Sequence, residues 1–252
     1  MATDIELYDF YSNYYDKGNF GLFQYKKIHH EKFQKYQELS LEELKKVFNP
    51  VLKYKSGGNF LDIGFGLGEP LFLASKLGFD VSGTELDQDA IEFVKGYIPK
   101  AQLRNGDLFD AHFSNQQFDF IRFWHVIEHV RDPVGYVREI GRIMKDDGVL
   151  MIGTPNIGCK AYSIHRFLSH WFQKMPTIMD GMDHTVLFTK SRLKELLEQN
   201  GFEVVNQFSH GRVEKIFSLF KEPISFKKKI VRLLQSFWDV DQTVYAIKVS
   251  SR

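Results

Sequence analysis

Two short stretches of this 252-residue chain hold residue types whose spacing can do chemistry. The first is Leu61-Asp62-Ile63-Gly64-Phe65-Gly66-Leu67-Gly68. Its glycines let backbone approach a ligand closely, and a helix start just beyond offers free N–H groups. The spacing is G-x-G-x-G. In the dinucleotide fingerprint G-x-G-x-x-G, the third glycine would fall on Glu69, and an acid there opposes a pyrophosphate. With Asp62 ahead of the first glycine, the turn suits a ligand bearing a cationic group; a purely structural turn is the plain alternative. Glu85 follows Asp62 by 23 residues. At a strand end its carboxylate can accept both hydroxyls of a ribose, or it is simply a solvated acid. Asp107, in Asn105-Gly106-Asp107-Leu108, can accept a hydrogen bond from an adenine amino group while Leu108 packs on the ring.

The second stretch is His125-Val126-Ile127-Glu128-His129. On a helix, His125 and His129 would share a face at metal-ligand spacing. H-x-x-E-H is also a zinc-peptidase pattern. That chemistry needs a helical motif and a third ligand downstream, whereas this motif follows a strand at the mouth of a nucleotide-type sheet. His129 as a supporting residue and His129 as a base are the remaining readings.

Elements that would position these residues alternate along the chain. Strands are expected at Asn59–Ile63, Asp80–Glu85, Gln102–Arg104, Phe118–Arg122, Val149–Thr154, Phe202–Phe208 and Thr243–Val249. Helices are expected at about 26–48 (with Ser40 and Glu43 as a start signal), Pro70–Leu77, Gln88–Tyr97, Val134–Met144 behind Asp132-Pro133, and Ser191–Gln199. Such alternation argues for an α/β fold, a doubly wound, largely parallel sheet with helices on both faces. The expected organisation is an aromatic helical cap over 1–58 and a domain over 59–252, interrupted by insertions at 155–188 and 210–242.

Composition sets outer limits. Lys+Arg number 33 and Asp+Glu 32, so a net charge of +1 makes no global case for nucleic acid. One cysteine, Cys159, excludes an internal disulfide framework and a cysteine-rich zinc cluster. The amino terminus has no secretory pattern, no run reaches membrane-span length, and a cytoplasmic location is expected. The unusual load is aromatic, with 24 Phe, 11 Tyr and 3 Trp, much of it crowded into residues 8–25 and the two insertions.

Taken together and in order, LDIGFGLG, GTELD, NGDL, FDFIRFWHVIEHVRDP and DDGVLMIGTPN resemble the class I S-adenosylmethionine-dependent methyltransferases. The likeness covers about 59–154, and more loosely continues to 209 and over 243–250. It implies a Rossmann-like seven-stranded sheet of order 3-2-1-4-5-7-6, strand 7 antiparallel. It implies that Gly64, Gly66 and Gly68 pass under the methionine part, that Glu85 holds the ribose, and that Asp107 and Leu108 frame the adenine. Asp62, Phe65, Leu86, Phe123 and His125 complete the implied cofactor lining. Phe65 departs from relatives that carry a small residue or Cys there. The segment around VIEHV is similar to that of ubiquinone-biosynthesis O-methyltransferases. In some relatives, including small-RNA 2′-O-methyltransferases, a Glu-x-x-Glu-His segment and a later D-H-x-x-x-x-T segment bind a divalent metal. Here His125, Glu128, His129 and, through Asp183-His184 to Thr189, His184 are the counterparts.

The expected activity is methyl transfer from S-adenosyl-L-methionine to an oxygen, less readily a carbon or nitrogen, of a small molecule or glycan. His129 or His184 would act as base, with Glu128 orienting and His125 beside them; histidine titrates in the range this needs. A dinucleotide-dependent oxidoreductase and a cofactor-binding pseudoenzyme are the alternatives. The stretch 225–238 carries Lys227, Lys228, Lys229 and Arg232 with apolar residues at helical spacing. It reads as a packed helix, a lid, a peripheral membrane contact, or a basic surface for a phosphorylated substrate.

Overall fold

A strand buried on both faces needs apolar side chains in both directions, and the central strands of this chain have them. In the computed structural model, which describes residues 22–159, 184–210 and 241–249, seven strands form one sheet. They are β1 (Asn59–Ile63), β2 (Asp80–Glu85), β3 (Gln102–Asn105), β4 (Phe118–Trp124), β5 (Met144–Pro155), β6 (Phe202–His210) and β7 (Asp241–Lys248). Their order is β3-β2-β1-β4-β5-β7-β6, with β7 antiparallel to both neighbours. The expected topology is therefore the observed one. The aromatic stretch before residue 22, residues 160–183 and residues 211–240, the last including the basic segment 225–238, lie outside the described residues.

The helices are α1 (Leu22–Glu38), α2 (Leu41–Val47), α3 (Asn49–Leu52), α4 (Glu69–Lys76), α5 (Gln88–Tyr97), α6 (Pro133–Ile143) and α7 (Lys190–Gln199). A helical stretch was expected over about 26–48; two helices, α1 and α2, share it, and α3 follows. Ser40 is the reason. Its hydroxyl accepts from the Glu43 N–H while Glu43 bonds back to the Ser40 N–H, a capping box that starts α2 afresh. Asp87, Asp132 and Thr189 likewise cap α5, α6 and α7. Among the described residues no helix is long and apolar enough to cross a membrane.

Alternation along each strand divides the core in two. Leu61, Ile63, Ile121, Phe123, Leu150 and Ile152 face α6 and α7. Phe60, Phe120, Val149 and Met151 face α1, α4 and α5. Helix α1 belongs to this second layer: Phe33, fully buried, stacks on Phe72 of α4 at 4.6 Å. Lys32 and Tyr36 both bond Glu69, the first residue of α4. Burial pushes the Glu69 carboxyl up, but these two partners outweigh it and leave it below its usual range.

On that second face, beyond Phe60 and Phe120, β1 and β4 also carry a pair of charges. Asp62 pairs in register with Arg122, and Arg122 Nη1 donates to Asp62 Oδ1 and Oδ2 at 2.9 and 3.2 Å. Asp62 is fully buried. Removing one member of such a pair strands the other charge. Arg122→Met should lower the unfolding free energy by about 3–5 kcal/mol in urea titrations. Adding Asp62→Leu should recover a large part of that loss; an equal or greater loss in the double variant would count against the pair.

Candidate functional site

The sheet reverses its strand order between β1 and β4, and in open α/β sheets ligands bind outside the carboxyl ends of the strands at that point. Both sequence motifs are brought there. After β1 the chain turns through Gly64, Gly66 and Gly68 at φ of +65°, +56° and +71°, a region that disfavours side chains. A Cβ on Gly64 would lie 2.6 Å from Val126 Cγ2. The glycine turn thus lies directly against the His125–His129 loop. Glu85, at the end of β2, holds the turn in place. Its Oε2 accepts from the Gly66 N–H at 2.7 Å, and its Oε1 from Leu86 and Asp87 at 2.8 and 3.2 Å. Burial pushes its carboxyl up, opposed by those three donors. A carboxylate has about four acceptor positions, so about one remains for a ligand hydroxyl.

Five of the expected cofactor residues do not face open space. Gly68 is buried, and a Cβ there would lie 2.6 Å from Val94 Cγ2. Asp62 was expected to meet a cationic ligand, but the cation it meets is Arg122. Phe65 fills the space above Gly83, where a Cβ would come within 2.5 Å of its ring, which is how the bulky departure is accommodated. Leu108 and Phe123 are fully buried in the core on the α6 side and have no surface to offer a ring. Leu86 and Asp107 are partly exposed. Asp107 Oδ1 accepts from the N–H of Phe109 and Asp110 at 2.7 and 3.0 Å, and Oδ2 from the Tyr136 hydroxyl at 3.3 Å. Burial and the Asp107 charge push the Tyr136 hydroxyl well up, so it stays a donor. The exposed ring next to Asp107 is Phe109, edge-on to Tyr136 at 5.0 Å. Phe109 was missed because it stands one residue beyond the NGDL motif.

The residues 125–130 form turns, not a helix. The helical metal-face reading of His125 and His129 therefore fails, and with it the peptidase pattern. His125 adopts a positive φ of 53° and donates its backbone N–H to Gly153 in β5 at 2.8 Å. Glu128, 1% exposed, becomes the centre. Its Oε2 accepts from Thr154 Oγ1 at 2.9 Å; its Oε1 lies 3.1 Å from His125 Nδ1 and 3.9 Å from His129 Nε2. Burial pushes this carboxyl up, and the His125 hydrogen bond with the charges of both histidines more than reverses it. The Thr185 and Val186 N–H groups donate to the Glu128 carbonyl, and Thr185 Oγ1 to Val130. That strap carries His184 to a ring distance of 4.9 Å from His129. One ligand atom each from Glu128, His129 and His184 lies within 4.8 Å of the others. His125 stands outside that group and touches it through Glu128.

A family model described as a methyltransferase domain matches residues 21–207, most of the chain. The chain belongs to the S-adenosylmethionine-dependent methyltransferases. It is 27% identical over 155 residues to the "Probable S-adenosylmethionine-dependent methyltransferase" of Mycolicibacterium smegmatis, covering 59% of this chain and 53% of that protein. It is 26% identical over 159 residues to a ubiquinone biosynthesis O-methyltransferase of Cereibacter sphaeroides, covering 60% and 62%. The chain thus spans little more than half the length of these relatives. A methyltransferase structure from Archaeoglobus fulgidus superposes with a TM-score of 0.57 over 89% of this chain and all of that one, at 22% identity. That likeness concerns the fold.

The cofactor of this methyltransferase family has a ribose diol, an adenine and a methionine part joined at a sulfonium. The partly exposed backbone of Gly64 and Gly66 and the open acceptor position of Glu85 fit such a group. The closeness of Gly64 to Val126 gives this turn a measurable signature. Gly64→Ala should cost about 1–3 kcal/mol in chemical denaturation, because it adds both positive-φ strain and a collision. In the Val126→Ala background the same change should cost measurably less. Identical costs in both backgrounds would mean that the two loops do not touch.

Proposed function

We propose that this chain moves the methyl group of S-adenosyl-L-methionine to an oxygen of a small molecule or glycan. The observation that carries this reading is the contact of the glycine turn with the loop that holds Glu128 and His129, across the β1–β4 switch point. Gly64, Gly66 and Glu85 hold the cofactor, Gly68 shapes the turn behind them, and Leu86, Asp107 and His125 stand at its margin. When bound, the cofactor supplies an electrophilic methyl group on a sulfonium that is its own leaving group. The protein's task is to place the acceptor and to take its proton. His129 or His184 takes that proton. Glu128 is the orienting residue, because Thr154 and His125 fix its carboxylate beside them.

The two halves of the reading separate experimentally. Glu85→Ala should weaken S-adenosylhomocysteine binding about 10- to 100-fold by calorimetry, since it removes a charge-assisted bond of about 1.5–3 kcal/mol. His129→Ala and His184→Ala should leave that affinity near wild type while at least one lowers kcat about 10²- to 10⁴-fold. Wild-type turnover in both would end the proton-transfer role. Tight cofactor binding without turnover on any acceptor would return the chain to a binding module.

The closeness of Glu128, His129 and His184 favours a second reading, that they bind a divalent cation. One carboxylate and two imidazoles are a chemically suitable donor set. Chelator-treated protein should then lose activity and regain it with added Mg²⁺, Mn²⁺ or Zn²⁺. A calorimetric titration with each ion should show one site that His184→Ala removes. Activity indifferent to chelation together with no ion-binding heat would retire this reading.

A further inference from the structure

The upper edge of β5 divides two groups. Thr154 turns toward Glu128, so by strand alternation its neighbour Gly153 faces the other side of the sheet. Gly153 is paired with Trp124 of β4 on one flank and with Thr243 of β7 on the other. Three observations meet at that pair. The indole of Trp124 lies across Gly153 so closely that any side chain there would collide with it. His210 of β6 reaches over β7, its Nε2 being 2.9 Å from Thr243 Oγ1. The two rings are within 13° of parallel with centroids 6.2 Å apart. One ring arrives from β4 over β5 and the other from β6 over β7, so two near-parallel rings floor the seam between these strands. Both are partly exposed, and Phe208, 41% exposed, continues the surface.

This floor adjoins the reacting cluster. His125 meets the Trp124 indole edge-on at 5.7 Å and holds Glu128 with its Nδ1. None of the proposed cofactor or proton-transfer roles uses Trp124 or His210. On the methyl-transfer reading above, we infer that Trp124 and His210 are the stacking floor of the acceptor subsite, and that the acceptor is a planar aromatic hydroxyl compound rather than a glycan.

Three features favour the aromatic ring. A flat ring meets a flat floor over its whole face, whereas a pyranose chair touches it through a few axial C–H groups. A glycan needs polar partners for its hydroxyls, yet the His210 Nε2 and Thr243 Oγ1 atoms of the floor are bonded to each other. The Arg122 guanidinium lies over the indole, 5.1 Å from its centroid, and draws on its π density, which suits an electron-rich phenol as a neighbour.

The test is calorimetric, on full-length protein saturated with S-adenosylhomocysteine. The probes are naphthol, its saturated counterpart decahydronaphthol, and methyl glucoside. Naphthol should bind several-fold tighter than decahydronaphthol, in line with aromatic-pair energies that convert to about 2- to 12-fold. Trp124→Leu should abolish the preference and Trp124→Phe should keep it, with S-adenosylhomocysteine affinity unchanged in both. His210→Leu should weaken the preference without touching the packing over Gly153, and it decides the matter if the Trp124 variants do not fold. Equal or tighter binding of decahydronaphthol or methyl glucoside overturns the proposal, as does a preference that survives both leucine variants. Failure of S-adenosylhomocysteine to bind wild type would instead overturn the methyl-transfer reading on which it rests.

Discussion

Both halves of the site depend on one buried ion pair. Asp62 and Arg122 face each other in register across β1 and β4, the two strands between which the sheet reverses its order. Each strand ends within two residues of that pair and runs directly into a functional loop, the glycine turn after β1 and the His125–His129 turns after β4. A carboxylate this buried is tolerated because the guanidinium gives it two bonds. The pair is also directional. It resists a register slip between the strands that would carry one loop past the other, which a purely apolar contact does less sharply.

Above that clamp, two further carboxylates organise the loops by different means. Glu85 is held by backbone N–H groups, including one from the glycine turn, so its position and the path of that turn are the same fact. Glu128 is held by side chains, Thr154 of β5 and the histidines of its own loop, so its position follows the end of β5. The first arrangement leaves acceptor capacity at a crevice. The second gathers groups able to take a proton or hold a cation. Gly64 keeps the two within reach because it alone of the twenty residue types has no Cβ to meet Val126.

Much of this was legible in the residues. The alternation of β-type and helix-type segments from Asn59 to Thr154 identified the sheet because a strand buried on both faces must be apolar, and because Gly, Pro and Asp punctuate it. Ser40 with Glu43 was readable as a helix start, although its consequence, the division of 26–48 into separate helices, was not drawn. Glu85 was found through its distance from the glycine turn. Harder were the residues defined by a partner. Arg122 is an inward charge in an apolar strand, a visible signal that some partner exists, but Asp62 stands 60 residues earlier. The burial of Leu108 and Phe123 was misread for the same reason: a motif shows adjacency along the chain, not which side of the sheet an atom faces. Trp124 with His210 is a contact between strands far apart in sequence, and Glu128 with Thr154 joins a loop to a strand end 26 residues on.

The sequence by itself determined the class of fold, the glycine turn, the acids around it and the histidine-rich segment after the fourth strand. Those follow from local constraints: hydrophobic period, turn chemistry, capping and the absence of a side chain. Tertiary structure decided the pairings. It turned Asp62 from a ligand-facing acid into the partner of Arg122, and it made 125–130 turns rather than a helix. It also brought His184 to His129 and laid Trp124 beside His210. Each of these outcomes depends on strand order and register, which bring residues tens of positions apart to a few ångströms, and local sequence carries no such distance.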